Sequence, residues 1–206
     1  MDTIIVNNKN GIKTIRFNKP SKKNAIDYYM YTEAAKALES AATDENITIV
    51  VLTGTGDFYS SGNELGGNNM IIERELVFES VKNFIKSIIL FPKLLIAIVN
   101  GPAVGIAATT LPLCDFVYTS EEARQMLMLN YKMGAQEALR CGLVSHVYKP
   151  EELATKAWEN IDFLLSLPYD SLLSTKKLLR RLQLEKFVET NEIEMQEVKR
   201  LAQSKL

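Results

Sequence analysis

The stretch from Ile49 to Leu65 constrains the fold of this chain most strongly. Its first four residues, Ile49 to Leu52, are apolar and mostly β-branched, which predicts a strand buried on both faces. Gly62 marks a tight turn, because glycine has no Cβ and accepts a positive φ. A helix is expected to begin near Asn63, and the unbonded N–H groups of its first turn can bind an anion. A strand–turn–helix connection without any function has the same pattern.

A second stretch repeats this arrangement. Leu94 to Val99 is another apolar run, and it stops at the turn signal Asn100-Gly101-Pro102. The residues after it, Ala103 to Leu111, are small and apolar, which indicates a helix buried against a sheet. Two strands are therefore each expected to lead into a glycine turn and a helix N-terminus.

Three motifs in this part of the chain point to a known family. They are Arg16-Phe17-Asn18-Lys19-Pro20 with Asn24-Ala25-Ile26, Tyr59-Ser60-Ser61-Gly62-Asn63-Glu64-Leu65, and Asn100-Gly101-Pro102-Ala103-Val104-Gly105-Ile106. Together they resemble the crotonase superfamily of enoyl-CoA hydratases and isomerases, and within it the peroxisomal Δ3,Δ2-enoyl-CoA isomerases. The resemblance implies an α/β fold built as a spiral of ββα turns with a C-terminal helical layer.

The domain organisation follows from the order of the predicted elements. Buried strands that alternate with helices argue for α/β architecture, so residues 1–149 are expected to form a crotonase-like core and residues 150–206 a C-terminal helical region. The resembling family uses the latter region for trimer contacts, which implies a homo-oligomer. The predicted helices are Asp27 to Ala42, Ile71 to Leu90, Glu121 to Met133, Pro150 to Leu167, Asp170 to Leu182 and Glu185 to Ala202.

Composition excludes several classes of function. The 206 residues carry a net charge of −1, which argues against a nucleic-acid surface. Cys114 and Cys141 lack metal-ligand spacing, so no metal site is expected. No apolar run is long enough to cross a bilayer, and the N-terminus lacks the pattern of a cleaved signal.

The resemblance implies enolate chemistry on an acyl-CoA thioester. Two backbone N–H donors would stabilise the negative charge on the thioester oxygen, and they correspond to the amides of Asn63 and Ile106. The substrate-binding residues carried over by the motifs are Ser61, Gly62, Asn63, Glu64, Leu65 and Gly105. Coenzyme A is part of the substrate, so no separate cofactor is expected.

The acid–base group of this family is missing from the sequence. Hydratases carry a catalytic glutamate at the position of Thr109, and a hydroxyl cannot replace that group near neutral pH. The isomerases carry their glutamate in a segment that is expected to be absent here, because the chain is shortened after Ala123. Glu121, Glu122 and Glu137 are nearby in the sequence, although acidic residues of this kind are usually solvated. The general base therefore stays unassigned.

Two functions remain open at this point. One is an isomerase that moves a double bond from C3 to C2 of an enoyl-CoA in fatty-acid β-oxidation. The other is a catalytically inactive subunit that binds acyl-CoA or pairs with full-length homologues. A serine hydrolase is disfavoured, because Ser60-Ser61-Gly62 lacks the nucleophile-elbow pattern.

The last three residues predict a peroxisomal location. Ser204-Lys205-Leu206 is the tripeptide that the peroxisomal import receptor reads at a free C-terminus. One extra residue after Leu206 in a fluorescent fusion should abolish import into the organelle, because the receptor needs the terminal carboxylate. An unchanged distribution in fluorescence microscopy would refute the assignment.

Overall fold

The main sheet has six strands. The computed structural model describes residues 2–64, 72, 74–121, 124–127 and 131–203. The first two strands are antiparallel, and every later neighbour pair in the sheet is parallel, which agrees with the α/β class. In sheet order the strands are β1 (Ile4–Lys9), β2 (Ile12–Phe17), β3 (Ile49–Gly54), β4 (Leu94–Val99), β6 (Phe116–Ser120) and β9 (His146–Tyr148).

The helix predicted from Glu121 to Met133 is wrong, because strands of a second sheet lie in this stretch. This sheet consists of β5 (Ala103–Val104), β7 (Arg124–Leu127) and β8 (Tyr131–Gly134). β7 is parallel to β5 and antiparallel to β8. The helical prediction was wrong because pairing with a distant strand outweighs the local helix propensity of this stretch.

Seven helices lie within the described residues. The single helix predicted from Ala103 to Leu111 is instead divided, because β5 precedes a four-residue helix and a 3₁₀ turn at Leu111–Leu113 follows it. The helices are α1 (Tyr28–Thr43), α2 (Arg74–Ile89), α3 (Ile106–Thr109), α4 (Ala135–Arg140), α5 (Pro150–Ser166), α6 (Tyr169–Arg180) and α7 (Leu184–Gln203).

The two faces of the main sheet are covered by different helices. Residues of α1 and α2 pack on one face, in the larger apolar cluster. On the other face, α5 contributes Leu153, Ala157, Ile161 and Leu164 to a second cluster. Burial on both faces explains why β3 and β4 are apolar runs without alternation. Among the described helices, none has the length and apolarity that a bilayer crossing requires.

A largely buried ion-pair cluster connects α6 to the sheet. One carboxylate oxygen of Asp115 lies 2.8 Å from the Lys176 ammonium of α6, and the other lies 3.2 Å from the Arg180 guanidinium. The same carboxylate accepts a hydrogen bond from the Leu95 amide of β4 at 2.8 Å. Burial lowers the pKa of Lys176, whereas the neighbouring Asp115 carboxylate raises it; the first effect is the larger.

Asp115→Asn is expected to destabilise the protein by about 3 kcal/mol, because it leaves the buried Lys176 without its counter-charge. Asparagine keeps an oxygen that can accept from Leu95, so the change mainly removes charge. The midpoint and slope of urea unfolding measure the effect.

Glu33→Gln is the matched control. The Glu33–Lys36 pair is a surface pair with both side chains more than half exposed, so its loss should change stability by less than about 0.5 kcal/mol. Equal urea midpoints for the two variants would contradict a stabilising role for Asp115.

Candidate active site

The two glycine turns lie directly against each other. The Val104 amide donates to the Ser60 carbonyl at 3.0 Å, and the Ser60 amide donates to the Pro102 carbonyl at 3.3 Å. A Cβ on Gly62 would lie 2.6 Å from the Val104 carbonyl oxygen, which is closer than a side chain tolerates. Gly62 is therefore required by a close backbone approach, and the two turns form one unit.

Two asparagines hold the loop that leads from β3 to Gly62. The Asn24 side-chain amide donates to the Phe58 carbonyl at 2.7 Å. The Asn100 side chain donates to the Gly56 carbonyl at 2.6 Å and accepts from the Gly54 amide at 3.0 Å. Both asparagines belong to the motifs that the sequence analysis singled out, and their role is to fix this loop.

The Asn63 amide is oriented by its neighbours. Ile26 donates its amide to the Gly62 carbonyl at 2.8 Å and accepts from the Glu64 amide at 2.9 Å. Because the C=O and N–H of a trans peptide point in opposite directions, the Asn63 N–H is directed away from Ile26. Among the described residues, it has no hydrogen-bond acceptor. Asn63 itself forms a parallel bridge with Ile26. The helix predicted to begin near Asn63 would continue into residues 65–71, which lie outside the described residues.

The Ile106 amide is presented in a similar way. The Gly105 carbonyl accepts from the amides of Ala108 and Thr109 at 2.9 and 3.0 Å, so the Ile106 N–H of the same peptide points out of the start of α3. Gly105 has φ 56° and ψ −129°, a conformation that residues with a Cβ rarely adopt. Within the described chain, no acceptor contacts this amide either.

Asn63 and Ile106 both line a cavity of about 1050 Å³. Asn63, Glu64, Gly105 and Ile106 lie at one side, and Thr109 of α3 is close by. The other walls come from the region of α2 and from α7 and are largely apolar. Their apolar residues are Ile72, Val77, Phe78, Val81, Ile85, Ile89, Phe187, Met195 and Val198, and the 3₁₀ turn after α3 adds Leu113.

Glu64 contributes a negative charge to the cavity wall, and two lysines pair with it. Lys19 lies 2.6 Å from one carboxylate oxygen, and Lys22 contacts the other. Burial raises the pKa of Glu64, but the hydrogen bonds from Lys19 and Lys22 lower it, and the net pKa is below the ordinary value. Lys19 also pairs with Asp27 at 2.9 Å. Glu64 is thus ionised and already neutralised by its partners.

The structure brings together only part of the predicted substrate-binding set. Ser61 is absent from the described cavity wall, because its amide donates to the Lys23 carbonyl and its hydroxyl faces the Lys22 carbonyl. Gly62 lies behind the wall, against Val104. Leu65 lies outside the described residues.

Of the three nearby acids named in the sequence, the two that the structure describes do not line this cavity. Glu121 is exposed and Glu137 lies on α4, and neither is part of the described wall. Glu122 lies outside the described residues. Sequence reasoning also missed the contribution of α7, although its cavity residues Phe187, Asn191, Glu194 and Val198 are spaced as one helical face.

The fold and the site together define a class of protein. Two amides that have no acceptor in the described ranges, beside a largely apolar cavity, can hold a carbonyl or anionic group joined to an apolar chain. A family model described as Enoyl-CoA hydratase/isomerase matches residues 7–125. The chain belongs to the enoyl-CoA hydratase/isomerase family, which confirms the resemblance in the motifs.

Individual relatives support the same assignment. Enoyl-CoA delta isomerase 2 of Rattus norvegicus is 36% identical over 93% of this chain and 58% of its own length. Enoyl-CoA delta isomerase 3, peroxisomal, of Mus musculus is 35% identical over 91% of this chain and 70% of its own length. An enoyl-CoA hydratase/isomerase structure from Pseudoalteromonas atlantica T6c has a TM-score of 0.85 at 28% identity, covering 95% of this chain and 91% of that one.

The chain covers only part of the rat protein, and the alignment between the two contains positions that this chain lacks. It spans less than two thirds of the rat protein. The alignment with that protein also runs over 228 positions but takes in 93% of the 206 residues here, about 192, so about 36 positions have no counterpart in this chain. The family match ends at residue 125, next to the predicted junction after Ala123. These matches do not fix where in the chain the unmatched positions fall, so the shortening after Ala123 stays a prediction.

Gly62→Ala is expected to abolish ligand binding while leaving the protein folded. The new Cβ would displace the Val104 carbonyl and with it the Asn63 and Ile106 amides. A ligand that binds only the native state at 100 times its Kd adds about 2.7 kcal/mol of stability. Differential scanning fluorimetry with decanoyl-CoA should therefore show a rise in Tm for the unmodified protein and none for the variant.

Gly142→Ala is the matched control, because Gly142 also has a positive φ of 73° but a Cβ there meets nothing within 4 Å. It should lose stability through backbone strain and keep the full rise in Tm with ligand. If both variants keep that rise, the contact between the two turns does not form the binding site.

Proposed function

We propose that this chain is an enoyl-CoA isomerase-like protein that binds 3-enoyl-CoA thioesters in fatty-acid β-oxidation. The thioester oxygen would accept hydrogen bonds from the Asn63 and Ile106 amides. The observation that carries this proposal is that Asn63 and Ile106 line one cavity and that their amides have no acceptor within the part of the chain that the structure describes. The family of the chain and the names of its rat and mouse relatives support it.

The proposed reaction is a proton transfer within one substrate. A base removes a proton from C2, the electron pair moves onto the thioester oxygen as an enolate, and the protonated base returns the proton to C4. The double bond thereby moves from C3 to C2 without any net change in composition. Two preorganised amides lower the energy of the enolate because water need not reorganise around it. No cofactor is needed, since coenzyme A is part of the substrate.

The cavity wall supplies few groups that can act as the base. Thr109, at the position of the hydratase glutamate, carries no carboxylate and argues against hydration. Among the described wall residues, the carboxylates are Glu64 and Glu194. Glu64 is a poor proton acceptor, because its two lysine partners hold its pKa below the ordinary value. Glu194 is exposed on α7.

This charge arrangement favours a second candidate function, a catalytically inactive subunit. A chain that keeps the two amides but pairs its nearest carboxylate with lysines would bind acyl-CoA without turning it over efficiently. Such a subunit would assemble with copies of itself or with full-length homologues, as a trimer by resemblance. The peroxisomal name of the mouse relative supports a peroxisomal location; residues 204–206 themselves lie outside the described residues.

A side-by-side isomerase assay separates the two candidates. We expect this chain to convert a 3-enoyl-CoA to its 2-trans isomer about 10²–10⁴-fold more slowly than the rat relative, because that is the usual contribution of a positioned acid–base group. Binding of decanoyl-CoA should persist in the same preparation. Turnover equal to that of the rat relative would rule out the inactive candidate.

Two variants of α7 test whether any residual turnover has a defined base. Glu194→Gln removes the carboxylate that lies on the cavity wall, whereas Glu189→Gln changes an exposed residue of the same helix outside that wall. Loss of turnover only in Glu194→Gln would identify Glu194 as the base. Equal rates in both variants would exclude Glu194 as the base.

A further inference from the structure

Tyr31 contacts the residue whose amide is proposed to bind the thioester oxygen. It lies on α1, is fully buried, and donates its hydroxyl hydrogen to the side-chain oxygen of Asn63. We infer that Tyr31 is a positioning residue that keeps the Asn63 amide free for substrate. This inference rests on the proposed function and extends it to a residue outside the cavity wall.

The hydroxyl of Tyr31 has a strong physical reason to keep this contact. A buried polar group without a partner is costly, so a buried tyrosine hydroxyl normally finds one. The ring is fixed by packing against Phe84 of α2, with centroids 5.5 Å apart. Burial, and in second place the charge of Asp27, raises the pKa of Tyr31 far above its ordinary value. The hydroxyl therefore stays protonated and can donate over the whole working pH range.

Without the hydrogen bond from Tyr31, the Asn63 side-chain oxygen could bind the Asn63 backbone amide. Asparagine oxygens readily accept hydrogen bonds from their own or neighbouring backbone amides. The Asn63 amide is free of other acceptors among the described residues, so an unrestrained side-chain oxygen would occupy it in place of the thioester oxygen. Tyr31 captures that oxygen and prevents the competition.

The first turn of α1 restrains both Asn63 and Glu64 at the cavity wall. Asp27 caps the helix by accepting from the Met30 amide at 3.0 Å. It also pairs with Lys19, which in turn pairs with Glu64. Tyr31, one turn further along, contacts Asn63. The same helix start thus restrains two consecutive residues of the proposed oxyanion site, although it lies more than 30 residues earlier in the chain.

The test measures polarisation of a bound carbonyl rather than turnover. The ¹³C resonance of [1-¹³C]decanoyl-CoA should move downfield when the thioester oxygen is hydrogen-bonded in the protein. In Tyr31→Phe the affinity for decanoyl-CoA should stay within about threefold of that of the unmodified protein. About half or more of the downfield displacement of the ¹³C resonance should be lost. Phenylalanine keeps the ring packing, so folding is checked by the urea midpoint.

Rescue distinguishes capture of the oxygen from a general packing role. Adding Asn63→Ala to Tyr31→Phe removes the competing oxygen but keeps the backbone amide, so most of the lost displacement should return. Tyr148→Phe is the matched control. The Tyr148 hydroxyl accepts a hydrogen bond of 2.6 Å from the Asn160 side chain, and neither residue lines the cavity. This variant should leave the resonance unchanged.

Three results would overturn the inference. The first is a full downfield displacement of the ¹³C resonance in Tyr31→Phe, which would not contradict the proposed function. The second is a double variant no better than Tyr31→Phe. The third does not depend on a variant: an Asn63 amide proton with the temperature coefficient of a hydrogen-bonded group in the ligand-free protein. If the unmodified protein binds decanoyl-CoA without any displacement, the proposed oxyanion site itself fails.

Discussion

Ser60 is the residue on which the geometry of the site depends. It is fully buried. Its hydroxyl donates to the Asn24 carbonyl at 2.8 Å and accepts from the Gly62 amide at 3.1 Å, while its backbone bonds to Pro102 and Val104. The side chain and backbone of this one residue therefore join three segments that are far apart in the chain. A displacement at Ser60 would move both free amides, since each is fixed relative to this junction.

Charge compensation makes an anion site possible next to a carboxylate. Glu64 follows Asn63 directly, and an uncompensated carboxylate there would oppose negative charge on a bound oxygen. Lys19, Lys22, Asp27 and Glu64 together carry no net charge. The Lys19 pKa is raised, because burial lowers it but the hydrogen bonds that Lys19 donates to Glu64 and Asp27 outweigh that effect. The network holds Glu64 ionised and directs its charge towards the lysines. The two amides then dominate the electrostatic field at the site where the oxygen would bind.

The sequence predicted those parts of the fold that local patterns determine. Buried strands such as β3 and β4 were predicted because a strand covered on both faces must be apolar throughout. α1 was predicted from Asp27, whose side chain caps it. The stretch around β7 and β8 was predicted wrongly, because its strand pairing depends on β5, about 20 residues earlier. Local propensity contains no information about that partner.

The same distinction applies to the site. Asn63 and Ile106 were placed by motif, and the structure puts both on one cavity wall. Tyr31 was not found, because it sits in an ordinary helical pattern and its polar contact with Asn63 spans 32 residues. The cavity residues of α7 were also missed; their spacing indicates a buried face but not what that face covers. Long-range contacts of this kind have no signal in a single sequence.

The role of α7 follows from the nature of its contacts with α2. Lys199 contacts Glu75 and Glu79, and Lys82 contacts Glu192, but pairs this exposed contribute little to stability. The apolar residues with which the two helices line the cavity are therefore the larger potential source of attraction between them. An apolar chain bound between α2 and α7 would contact residues of both helices. We therefore expect acyl binding and the docking of α7 to stabilise each other.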